Sequence, residues 1–205
     1  MEGTGRIGRP LFVNLLLVKN LCPVVALQSE LVIKVFMLAR FIRRFSASVD
    51  PAEMERFSRV AQEWWNPDGP YAMLLRMNPV RVGYIRNTIP NTNPQFPFKD
   101  LKILDIGCGG GFLSQSLRRL GAQVTAVDAN YENVQVAKAY DKSGIEFIHG
   151  TAEDLVEQDL KFDAVCGLEI VEHVTNPKEF VKTCSEICKV PRIHLAWWSS
   201  VLFYH

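Results

Sequence analysis

Leu101-Lys-Ile-Leu-Asp-Ile-Gly-Cys-Gly-Gly-Gly111 is the stretch whose reading decides the fold: a short apolar run is cut by Asp105 and then collapses into glycine just before a helical pattern. Lys102 to Ile106 has the look of a buried parallel strand, and Gly107, Gly109, Gly110 and Gly111 remove the side chains that would keep a ligand from the backbone. The helix that follows offers free N–H groups to an anion. No Walker Lys-Ser/Thr pair follows the glycines, which argues against nucleoside triphosphates. The spacing Gly107-x-Gly109-x-Gly111 is also tighter than the G-x-G-x-x-G of a nicotinamide site. A second apolar run, Gln123 to Val127, ends in Asp128 about 20 residues on, where an acid at a strand tip can bind ribose hydroxyls.

Leu104-Asp105-Ile106-Gly107-Cys108-Gly109-Gly110-Gly111 together with Asp128 resembles the first motif and the second-strand acid of class I S-adenosylmethionine-dependent methyltransferases. The resemblance implies a Rossmann-like α/β fold whose glycine turn, with Gly107 and Gly109, passes the amino-acid half of the cofactor while Asp128 holds its ribose. The alternative is a glycine turn that merely caps an ordinary α/β unit.

With 205 residues, 48% of them apolar, the chain can bury one substantial core. Its formal charge of +1 gives no reason to expect nucleic acid. Five cysteines without Cys-x-x-Cys spacing indicate neither a disulfide framework nor a zinc knuckle. The organisation expected is a leader over 1–48, a helical lid over 49–98, a cofactor-binding core over 99–189 and a divergent tail over 190–205.

The leader carries seven basic residues against two acids, Glu2 and Glu30, and reads as a mitochondrial import sequence. A membrane anchor is the rival, although the apolar runs 11–18 and 31–38 are each too short to cross a bilayer. Asp50-Pro51-Ala52-Glu53 then looks like a helix start, with Asp50 as N-cap and Glu53 closing a capping box. Phe57, Val60, Trp64 and Trp65 follow on its apolar face. A turn at Asn66-Pro-Asp-Gly-Pro70 leads to a second helical stretch from Tyr71 to Ile89.

Phe57, Trp64-Trp65 and Asn78-Pro79-x-Arg81-x-Gly83-Tyr84-Ile85, followed by the glycine turn, are similar to the ubiquinone-biosynthesis O-methyltransferases. By that resemblance Arg81 contacts the cofactor, a task that a guanidinium fork suits if the contact is to a carboxylate. In isolation it would read as a solvated helix charge. Ala152 and Glu153 fall where this class places the adenine.

Strand four, Phe162 to Gly167, is followed by Leu168-Glu169-Ile170-Val171-Glu172-His173-Val174, at the sheet edge where ligands of open α/β sheets sit. The resemblance makes Leu168 a cofactor neighbour. If a helical turn begins at 169, Glu169, Glu172 and His173 share one face and can hold a divalent cation. A solvated acidic turn is the bland alternative. The family block Glu-x-x-Glu-His-Val implies magnesium at these three positions, with zinc or manganese admitted by the imidazole. His173 is also the catalytic candidate; it cannot be metal ligand and free base at once, and the ligand role is favoured because two carboxylates alone bind a cation weakly.

After Lys189 the family pattern fails, so the resemblance covers about residues 50–189. The expected sheet begins 3-2-1-4, with its fifth to seventh strands missing or replaced, and Ile193 to Tyr204 is apolar enough to supply a substitute edge strand. A truncated or alternatively spliced form is the simplest account of the tail. What the resemblance implies is O-methylation of a polyprenylated catechol in ubiquinone synthesis, at the matrix face of the mitochondrial inner membrane, within a biosynthetic protein complex. A catalytically inactive, cofactor-binding or assembly isoform is the alternative.

Overall fold

A computed structural model describes residues 49–89 and 93–189, and the backbone of 193–196. The leader reading over 1–48 and most of the tail lie outside the described residues.

Five parallel strands, β1 (Lys102–Ile106), β2 (Gln123–Asp128), β3 (Glu146–His149), β4 (Ala164–Leu168) and β5 (Ile193–Ala196), form one sheet in the order β3-β2-β1-β4-β5. The expected 3-2-1-4 order is thus present. The tail supplies the next strand, with Val165 opposite Ile193 and Leu168 opposite Ala196. Parallel strands buried on both faces send alternate side chains to opposite cores. Ile103, Val124, Ala126 and Cys166 join one core with Leu113, Leu117, Val134 and Ala137, from α3 (Phe112–Arg119) and α4 (Tyr131–Tyr140). Leu104, Ile106, Val127 and Val165 join the other with Leu155, Phe180, Cys184 and Ile187, from α5 (Ala152–Glu157) and α6 (Pro177–Ile187).

Ahead of the sheet, α1 (Pro51–Val60) starts as its sequence requires: Asp50 Oδ1 accepts the Ala52 N–H at 2.8 Å and Pro51 occupies the first turn. Glu53 does not close the capping box. Its Oε2 instead accepts from Arg56, one turn along the helix, at 2.6 Å and lies 2.8 Å from His173 Nδ1, so side-chain partners win over the local backbone. A single 3-10 turn, Ala61–Glu63, then delivers Trp64 and Trp65.

The second N-terminal helix, α2 (Ala72–Thr88), contains Pro79 in its interior and buries Asn78, Arg81 and Ile85. Asn78 Nδ2 donates to Phe112 O at 3.0 Å and Ser116 Oγ at 2.9 Å, fixing α2 to α3. Among the described residues no helix is long and apolar enough to cross a membrane.

Asp105, at the heart of β1, is buried and accepts a hydrogen bond from Ser114 Oγ. Burial pushes its carboxyl up to about 6, against the opposing pull of Ser114 and Arg81. A native value above the unfolded one means that this stability contribution is complete below about pH 4 and is lost as pH rises through 6. Asp105→Asn, which keeps the shape without the charge, should therefore gain on the parent by about 2–3 kcal/mol between pH 4 and pH 7. Urea denaturation at both pH values measures the gap, and an equal gap at both would refute the burial cost.

Candidate functional site

The glycine turn is held by strand two. Gly107 and Cys108 N–H both donate to Val127 O, at 2.8 and 3.1 Å, and Gly109 N–H donates to Asp128 Oδ2 at 2.8 Å. The other Asp128 oxygen accepts from Asn130 N–H at 2.8 Å and Asn133 Nδ2 at 3.3 Å. Burial raises the Asp128 carboxyl, since these bonds do not fully offset its desolvation. Gly107 and Gly109 have φ of 72° and 53°, a region costly for residues with a Cβ. Cys108, between them, is buried, and desolvation together with the Asp128 and Asp105 charges pushes its thiol up.

Trp64 lies directly against Gly109 and Gly110, so a side chain at either glycine would meet the indole. Its Nε1 donates to Asn133 Oδ1 at 2.8 Å, and its ring stacks on Tyr71 with centroids 3.8 Å apart. Trp65 Nε1 donates to Gly110 O at 3.0 Å. The tryptophan pair thus covers the glycine turn.

Between these elements lies a cavity of about 1070 Å³. Arg81, Gly107, Gly109, Asp128, Leu168, Glu169, Glu172 and His173 all line it, so these residues named from the sequence face one space. Met54, Phe57, Val60, Leu74, Met77 and Val174 contribute apolar wall. Ala152 and Glu153 line a separate space of about 40 Å³ that shares Gly107 and Ala129 with the large one.

The geometry within the cavity departs from the shared-face expectation. Glu169 has φ 55°, in the left-handed region, and the 3-10 turn begins only at Val171 and runs to His173. Glu169 is therefore not in the same helical turn as Glu172 and His173. Its Oε1 lies 3.3 Å from Arg81 Nη2, whereas His173 Nδ1 lies 2.8 Å from Glu53 Oε2 and its ring meets Phe57 edge-on at 5.1 Å. Among the described residues, no three of His, Cys, Asp and Glu stand together so as to hold a metal ion. Local helix geometry was one ground of the metal reading, beside the family block, and the backbone at 169 does not supply it.

Arg81 is only 7% exposed, and its Nε and Nη2 have no hydrogen-bond partner. The contact with Glu169 is one of charge without hydrogen-bond alignment, because Glu169 Oε1 is unpartnered too. Buried guanidinium donors without acceptors are costly, and here they point to an anionic group of a ligand. Tyr71 adds a third such atom. Its buried hydroxyl lacks a partner while the residue lines the cavity, and desolvation raises its pKa. Sequence reading missed Tyr71 as it missed Asn133 and Glu53; only the adjacency of Tyr71 to the Trp64-Trp65 turn signals it.

The family model described as a methyltransferase domain matches residues 104–190, spanning the glycine turn, Asp128 and the 169–174 block. Residues 104–190 thus carry a methyltransferase domain on a Rossmann-like class I fold. It is 46% identical over 149 residues to the ubiquinone biosynthesis O-methyltransferase of Maricaulis maris, covering 69% of this chain and 59% of that one. To the ubiquinone biosynthesis O-methyltransferase, mitochondrial, of Arabidopsis thaliana it is 43% identical over 152 residues, covering 69% of this chain and 47% of that one. The chain thus spans about half to three fifths of the length of these curated relatives. Among solved structures, a Haloferax volcanii methyltransferase in complex with the Trm112 activator shares the fold, at TM-score 0.52 and 21% identity over 65% of this chain and 55% of that one.

In this chain the glycine turn depends on one carboxylate. Asp128→Ala leaves three donors without their acceptor and should cost about 2–4 kcal/mol of stability. Urea denaturation measures it, and a loss below about 0.5 kcal/mol would show that the turn holds itself.

Proposed function

We propose that this chain binds S-adenosylmethionine and moves its methyl group to a phenolic hydroxyl of a polyprenylated catechol in ubiquinone synthesis. The observation that carries the reading is the buried Arg81 fork, its Nε and Nη2 unpartnered, facing the cavity opposite the glycine turn. An amino-acid carboxylate is the group such a fork takes. Asp128 stands where ribose hydroxyls would arrive, and Leu168 ends β4, on the other side of β1. The names of the Maricaulis and Arabidopsis relatives support the substrate class.

A volume of about 1070 Å³ lies at the upper end of ligand pockets, roughly 300–1,000 Å³, and leaves space for an acceptor beside the cofactor. The cofactor supplies an electrophilic methyl on a sulfonium. In the transfer an O–CH₃ bond forms as the S–CH₃ bond breaks, the sulfide leaves neutral, and the hydroxyl proton must go to a base. His173 is the residue proposed to take it. Glu53 engages Nδ1, which leaves Nε2 on the same ring to accept. The apolar side chains of α1 and α2 would hold the ring and prenyl chain and exclude water. No step is assigned to magnesium, because Glu169 and His173 are drawn to Arg81 and Glu53 in this arrangement.

The same proposal places the protein in mitochondria, against the matrix face of the inner membrane and beside the other proteins of the pathway. The basic, acid-poor leader and the name of the Arabidopsis relative support the address. The outer face of α2 supports the membrane. Met73, Val80 and Tyr84 are 54, 55 and 44% exposed on a helix that has no acid and, besides the buried Arg81, the exposed Arg76 and Arg86.

Titration calorimetry with S-adenosylhomocysteine tests the cofactor site. Arg81→Ala should weaken binding by about 10- to 150-fold, the worth of charge-assisted hydrogen bonds to a carboxylate, and unchanged affinity would remove Arg81 from the site. Methylation of a soluble short-prenyl catechol tests the reaction. For the membrane, Val80→Glu combined with Tyr84→Glu should lower sedimentation with anionic vesicles by about tenfold or more, and parent-like sedimentation would reject this face.

A further inference from the structure

Arg81 sits among carboxylates in unequal states. Asp105 is near enough to feel its charge and is held by Ser114 Oγ. Glu169 approaches Nη2 at 3.3 Å, yet Oε1 has no hydrogen bond, and its backbone adopts φ 55°, which residues with side chains rarely hold. Asp105 is anchored and Glu169 is not. A cofactor carboxylate arriving at the same guanidinium would add a further negative charge in a space where Arg81 is only 7% exposed.

We propose that Glu169 is a stand-in for the cofactor's carboxylate: it occupies Arg81 in the unliganded protein and is displaced when the cofactor's amino-acid end binds. The inference rests on the cofactor reading above. The exchange keeps the guanidinium neutralised in both states, swapping a misaligned contact for an aligned fork, and Glu169 competes with ligand for the fraction of molecules in which it holds Arg81. The left-handed backbone at 169 aims the carboxylate at Arg81 instead of along the 3-10 turn that follows.

Binding of S-adenosylhomocysteine and of 5′-methylthioadenosine, which lacks the amino-acid end, is measured by calorimetry on the full chain. Glu169→Ala and the volume-keeping Glu169→Gln should each bind S-adenosylhomocysteine about three- to tenfold more tightly than the parent, as expected when a competing state filling most of the population is removed. The gain should vanish in an Arg81→Ala background, and methylthioadenosine should bind the parent and every variant alike. Weaker binding of S-adenosylhomocysteine in both Glu169 variants would overturn the proposal and make Glu169 a partner of the cofactor's ammonium group. Unchanged affinity, or an equal shift for methylthioadenosine, would overturn it as well. A parent that binds neither ligand would refute the cofactor reading itself, an outcome distinct from the others.

Discussion

The carboxylate of Asp128 is the hinge pin of this protein. One side chain at the end of β2 receives the glycine turn from β1 through Gly109, the start of α4 through Asn130, and the amide of Asn133, which in turn carries the indole of Trp64. Strand pairing sets the carboxylate's position, since Ile106 and Val127 lie in register and the turn N–H groups close on Val127 O. The glycine turn and the strand ends that floor the cavity are therefore referred to one parallel ladder, while the cover made by Trp64 and Trp65 is tied to it by side-chain hydrogen bonds and aromatic packing. A rigid floor and a lightly attached cover are what a site needs when a ligand must enter and then be shut from water.

Two cores flank the sheet and the cavity is built at its carboxyl edge, which follows from where chain segments leave β1, β2 and β4. A third cluster, around Trp64, Tyr71, Phe112 and Val136, joins the N-terminal segment to α3 and α4. Its aromatic contacts, with Trp65 stacked on Tyr140 and set edge-on to Phe112, place large surfaces near the glycine turn.

The fold was legible because its signals are local. An apolar run ending in glycine, repeated apolar runs ending in Asp128 and Leu168, and caps such as Asp50 and Asn176 each act within a few residues. Helix α4 begins at Tyr131, because Asn130 caps it and Asn133 supplies the capped N–H. Gathering Arg81, Gly107, Gly109, Asp128, Leu168, Glu169, Glu172 and His173 around one cavity was also legible, through the resemblance and the strand-end rule. Pairings inside the cavity were not. Glu53 meets His173 across the fold, and Glu169 turns to Arg81 through a backbone conformation that its residue type disfavours. No periodicity encodes either, since both depend on tertiary placement overriding local preference.

The thiol of Cys108, set between two of the turn's glycines, carries a chemical hazard if a sulfonium is bound nearby. A thiolate is a better nucleophile than a phenol and would itself be alkylated, inactivating the protein by its own methyl donor. Burial, reinforced by the negative charges of Asp128 and Asp105, holds that sulfur protonated. The same acids that shape the turn thereby act as its chemical shield, keeping a reactive atom inert at the place where a reactive methyl would be delivered.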